Sequence, residues 1–137
     1  MTDFQQPGER DMLHLNVFKV SANCLPPRVL LRAANLPFEE TESYGQTRTP
    51  EYLAKSATHH VPLLEDDDLA PYALPESCAI MMYLCQKYKL EDFYPNDLKK
   101  RARIDASMLY QTGSFYPMVA KVAYPLFGFP AYAADLR

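Results

Sequence analysis

Apolar and polar positions alternate through Leu13-His14-Leu15-Asn16-Val17-Phe18-Lys19-Val20, predicting a half-buried strand after a polar, mobile tail over 1–11. Ser21 to Leu25 reads as a loop. Pro26-Pro27 suits the first turn of a helix, where proline is tolerated. Val29, Leu30, Ala33 and Ala34 give that helix an apolar face, and Asn35 is its stop. Residues 37–42 predict a second strand exposed on one face and broken at Gly45. Thr49-Pro50-Glu51 has the form of an N-cap, proline at the first helical position and an acid in the first turn, so a short helix runs to Lys55. Val61 to Glu65 is a third strand, Asp66-Asp67-Asp68 a turn, and Leu69 to Leu74 a fourth strand. Pro71 makes that fourth strand an edge or a bulge.

Ala79, Ile80, Tyr83, Leu84 and Lys87 follow helical spacing and predict a helix over 77–88. A linker over 90–96 ends in Tyr94-Pro95-Asn96. Asp97 caps a long amphipathic helix reaching about Val122, with Ala102, Met108, Leu109, Phe115 and Val119 on its apolar face. Gly113 and Pro117 should bend it, and the Pro-, Phe- and Tyr-rich stretch from Pro125 should not be helical. A βαβ unit, a short helix, a β-hairpin and a closing helix make an α/β, thioredoxin-like domain over 12–89. The first long helix of an all-α domain follows over 97–137. That helix lacks most of the cover its apolar face would need, which predicts either a truncated domain or a partner lying over it.

Composition narrows the function. The chain has 137 residues, 48% of them hydrophobic and 23% charged, a globular balance. The net charge is -3 with no basic block, which argues against nucleic acid. No apolar run approaches the ~18 residues of a membrane span, and the polar N-terminus has no signal-peptide core. A cytoplasmic protein is expected. Cys24, Cys78 and Cys85 include no C-x-x-C pair, which removes a thioredoxin-type dithiol, and with His14, His59 and His60 they match no zinc spacing, so no metal is expected. Cys78 and Cys85 read as core packing.

The chemistry concentrates in Val61-Pro62 and Pro75-Glu76-Ser77. Val61 can offer its backbone N–H and C=O to an extended peptide. Ser77 at a helix N-terminus offers a hydroxyl and free N–H groups to a carboxylate. Glu76 can take an ammonium. Together they form a cradle for a small zwitterionic peptide. Gly45-Gln46, Pro50-Glu51-Tyr52-Leu53, His59-His60-Val61-Pro62, Pro75-Glu76-Ser77-x-Ala79-Ile80-x-x-Tyr83-Leu84, Tyr94-Pro95-x-Asp97 and Arg101 to Asp105 recur in that order. In this the chain resembles the glutathione transferases, nearest the theta, delta and epsilon classes, from about Leu13 to Pro125. The resemblance implies glutathione as co-substrate, a small electrophile as second substrate, and a homodimer. It implies a cis Pro62, His59 or His60 at the glycyl carboxylate, and Asp105 reaching the partner subunit's glutathione.

The catalytic position stays open. The serine-type classes carry Ser-x-Pro-x-Arg after the first strand; here Pro26 and Arg28 keep that frame and Cys24 takes the serine's place. Counting back from Arg28 puts Val17 where a tyrosine-type class needs tyrosine. Ser21 is the nearby hydroxyl. A cysteine near a helix N-terminus can instead become a thiolate and exchange with glutathione disulfides. An inert, buried cysteine in a degenerate site is the alternative. The stretch Gly45-Gln46-Thr47-x-Thr49-Pro50-Glu51 also resembles the transferase-like domain of elongation factor 1-gamma, which implies a non-catalytic interaction module.

Overall fold

The structure is a computed structural model that describes residues 12–128. The tail over 1–11 and the stretch after Gly128 lie outside the described residues. The chain divides into two units, one ending at Leu90 and one beginning at Glu91.

The first unit is built on a four-stranded mixed sheet, β1 Leu13–Val17, β2 Phe38–Glu42, β3 Leu63–Glu65 and β4 Leu74–Pro75, in the order β2-β1-β3-β4. β1 pairs parallel with β2, so the connection between them crosses over the sheet through α1, Leu25–Ala33. β1 and β3 pair antiparallel, as do β3 and β4. This is the expected thioredoxin-like architecture. Leu13, Leu15 and Val17 are fully buried on β1, as are Leu63 and Leu64 on β3 and Ile80 and Leu84 on α3, Ser77–Lys87.

Local chemistry sets the element ends. Asn35 follows α1 at φ 51°, and Leu36 N–H bonds back to the Leu31 carbonyl at 2.9 Å, closing the helix as expected. Thr49 caps α2, Pro50–Lys55, by accepting from Tyr52 N–H at 3.3 Å.

Five expectations need correction. The third strand begins at Leu63, which leaves Val61 and Pro62 outside it. The first strand stops at Val17 because Ser21 N–H turns back to the Phe18 carbonyl, leaving Val20 80% exposed. The inward stripe of α1 is Pro27, Leu30 and Leu31, at the i, i+3, i+4 spacing, while Val29 faces out. The fourth strand shrinks to Leu74–Pro75. Asp66 accepts from Asp68 N–H, Leu69 N–H bonds the Asp66 carbonyl, and a short 3-10 turn forms over Asp67–Leu69 instead. Pro71 therefore sits in a loop, after a cis Ala70–Pro71 bond.

The second unit carries α4, Leu98–Tyr110, a π-helical turn over Gln111–Phe115, and α5, Tyr116–Leu126. Asp97 caps α4, accepting from Lys100 N–H at 2.8 Å. Pro117 has no N–H for the Gly113 carbonyl. The ladder slips by one residue there, and Tyr116 N–H reaches the Gln111 carbonyl. The expected bend is thus a register slip. The last correction lies at Pro125, which is inside α5 rather than beyond it. The helix ends one residue later at Leu126, and Gly128 just beyond its cap takes φ 82°. Leu109 is 71% and Val122 70% exposed, so much of the apolar side of this unit is open.

Candidate functional site

The register gathers the sequence candidates at one end of the sheet. Leu63 of β3 faces Pro75 of β4, which brings Val61-Pro62 alongside Glu76-Ser77. Asn16 of β1 faces Leu63, so the loop leaving β1, with Ser21 and Cys24, starts at the same end. The Val61–Pro62 bond is cis.

Ser77 is the first residue of α3 and nearly buried. Glu76 precedes it, exposed, at φ 75° and ψ 116°. An L-residue held there costs on the order of 1–3 kcal/mol, and such residues cluster at ligand clamps. The first N–H groups of α3 have no intrahelical partner and face the end where Val61 lies. His59 is half-buried at φ 47°, His60 is exposed, and their rings meet edge to face at 5.0 Å. Asp105, in the second unit, accepts a 2.6 Å hydrogen bond from the Tyr94 hydroxyl.

Cys24 caps α1 without a side-chain capping bond and is fully buried. Burial pushes its thiol up, and that outweighs the opposing pull of the Phe18 backbone, the Ser21 side chain and Arg28. At neutral pH the sulfur is a thiol. Ser21 is half-buried, and the Cys24 N–H bonds its carbonyl at 3.1 Å. Arg28 fixes this loop: its Nη1 donates to the Lys19 carbonyl at 3.1 Å and its Nε to Glu40 at 3.0 Å. Arg32 adds a 2.5 Å contact to the same carboxylate. The Arg28 bond chiefly, helped by Arg32, holds the Glu40 carboxyl below its usual range.

Sequence reasoning missed two partners. Arg28 was legible as part of a motif, but its acceptor Glu40 was not, since both lie in segments read separately. The Tyr52 hydroxyl donates to the His60 carbonyl at 2.7 Å. A tyrosine on the inner face of a short helix signals packing, and nothing in the sequence marks a main-chain acceptor.

The sheet order, the crossover and the cis-proline loop define a thioredoxin-like domain. Residues 15–92, more than half of the chain, match the family described as glutathione S-transferase, N-terminal domain. The chain belongs to the glutathione S-transferase family. It is 29% identical over 124 residues to the mouse (Mus musculus) glutathione S-transferase theta-3, covering 88% of this chain and 50% of that one. A delta-class glutathione transferase of Nilaparvata lugens superposes with a TM-score of 0.72 at 32% identity, covering 82% of this chain and 54% of its own. An epsilon-class enzyme of the housefly, Musca domestica, gives 0.72 at 36% identity, covering 84% and 54%. The chain therefore spans about half the length of the relatives it matches.

Proposed function

We propose that this chain binds glutathione at the end of the sheet formed by Val61-Pro62 and Glu76-Ser77. The observation that carries the reading is the antiparallel register, Leu63 opposite Pro75, which sets a strand-pairing backbone beside a helix N-terminus. In this reading the γ-glutamyl carboxylate lies on the α3 N–H groups and the Ser77 hydroxyl. The α-ammonium meets Glu76, and the cysteinyl backbone pairs with Val61 as an added strand. His59 or His60 takes the glycyl carboxylate. Asp105 belongs to the glutathione site of a neighbouring subunit in a cytoplasmic homodimer.

The cysteinyl sulfur then points toward the loop after β1. Glutathione attacks a small electrophile as its thiolate, and a hydroxyl donor lowers the cost of that charge. Ser21 is the hydroxyl on that loop. Thiol exchange through Cys24 is the second version, but a buried sulfur held as a thiol is a poor nucleophile, which favours Ser21. Ser21→Ala should lower kcat/KM for conjugation about tenfold or more, the worth of a hydrogen bond to a charged group. Cys24→Ala should change it far less. Steady-state assays of both variants decide, and the reverse ranking would make Cys24 the nucleophile.

Glutathione binding itself is tested by calorimetric titration of wild type and Ser77→Ala. Saturable binding is expected, weakened in the variant by ~1–3 kcal/mol, the cost of losing one charge-assisted bond. No heat from wild type would leave a non-catalytic interaction module as the better account.

A further inference from the structure

Glutathione pairing with Val61 demands that the Val61 N–H point outward and stay there. The segment from Ser56 to Pro62 belongs to no helix or strand. It is tied at its start, where His59 N–H bonds the Ser56 carbonyl at 3.1 Å and Ser56 and Thr58 hydroxyls meet at 3.1 Å. Neither bond reaches the peptide group joining His60 to Val61. Tyr52 reaches that group, its hydroxyl donating to the His60 carbonyl at 2.7 Å.

We infer that Tyr52 is a positioning residue for glutathione, fixing through the His60 carbonyl the direction and donor strength of the Val61 N–H. In a trans peptide the C=O of one residue and the N–H of the next point in opposite directions across one plane. A donor on the His60 oxygen therefore aims the Val61 N–H away from α2. Drawing electron density toward that oxygen also makes the N–H on the far side a better donor. Tyr52 is suited to the task. It is 6% exposed, and α2 is held at its start by the Thr49 cap. Its hydroxyl is pushed up to about 12, first by burial and then by the nearness of Cys24 and Glu65, so it remains a donor throughout the neutral range.

The inference rests on the glutathione reading above, and its test separates the two. Tyr52→Phe keeps the ring and removes the donor. The glutathione dissociation constant, by calorimetry, should rise about fivefold, the size of one neutral hydrogen bond. In the free variant the Val61 amide should exchange with solvent faster. The kcat at saturating glutathione should be unchanged. Ser56→Ala, which breaks a bond outside that peptide plane, should leave the dissociation constant alone. A purely structural Tyr52 would lower the melting temperature of Tyr52→Phe and leave affinity and Val61 exchange as in wild type, which overturns the inference while the glutathione reading stands. Absence of glutathione binding by wild type overturns both. Should Tyr52→Phe fail to fold, the wild-type protein decides: its Tyr52 hydroxyl proton should exchange slowly and slow further with glutathione bound. A fast-exchanging hydroxyl in the complex overturns the inference.

Discussion

Lys87→Met should destabilise the N-terminal unit by roughly 3–5 kcal/mol at neutral pH, the range for removing one partner of a buried ion pair. The Asp66 side chain is fully buried, and Lys87 Nζ lies 2.6 Å from its Oδ2 and 2.8 Å from Asp68. The Tyr83 hydroxyl adds a 2.8 Å bond to the same carboxylate. Burial alone would push the Asp66 carboxyl up, but the bonds from Lys87, Tyr83 and the Asp68 N–H outweigh it and hold the carboxyl below its ordinary value. A depressed carboxyl stabilises the fold above its unfolded pKa of about 3.9 and loses that contribution as pH falls through the folded value. In Lys87→Met the carboxyl has lost its cation and protonates more readily. Urea unfolding of wild type and variant should therefore show a gap at pH 7 that narrows as the buffer is taken toward pH 3. A gap of constant size would mean that Lys87 acts through packing of its stem and not through its charge.

Leu84→Ala supplies the contrasting case. Leu84 sits one turn earlier on α3 and is fully buried. Truncation removes apolar contacts and leaves a cavity, for which about 2–5 kcal/mol is expected. No titratable group is involved, so the loss measured in urea should be the same at pH 7 and pH 4. Leu84 and Lys87 are neighbours at i and i+3. The double variant should accordingly fall short of the sum of the two if α3 loosens as a unit.

These two residues also show what the sequence could reveal. The helix over Ser77–Lys87 was readable from spacing alone, and Leu84 with it. Lys87 was placed on the helix by the same spacing, but its partner Asp66 was assigned to a turn. A carboxylate that accepts from a backbone N–H, a phenol and an ammonium at once is a tertiary fact, and propensity gives no sign of it. The same side chain explains the failed fourth strand, since Asp66 winds Asp67–Leu69 into a tight turn before pairing can begin. Caps fared better because they are local: Thr49, Asn35 and Asp97 each act within three or four residues. Pro125 misled because proline removes a single helical hydrogen bond near an end, which one more residue of helix survives. Among the candidate residues, the nearness of Glu76-Ser77 to Val61-Pro62 was legible, since both lie at element ends. The burial of Cys24 was not, because a cysteine before a helix is compatible with either an open or a closed position.

The placement of β2 has a consequence for how this domain can meet its surroundings. It lies on the rim of the sheet, with the sequence Phe38-Glu39-Glu40-Thr41-Glu42 and the Glu39 side chain 64% exposed. A free rim is a template for addition of a foreign strand, and charge is a common guard against it. A second copy approaching along β2 would bring glutamates against glutamates. The opposite rim, β4, is two residues long and offers little to extend. Both margins of the described sheet are thus blunted against strand addition, one by charge and the other by its shortness.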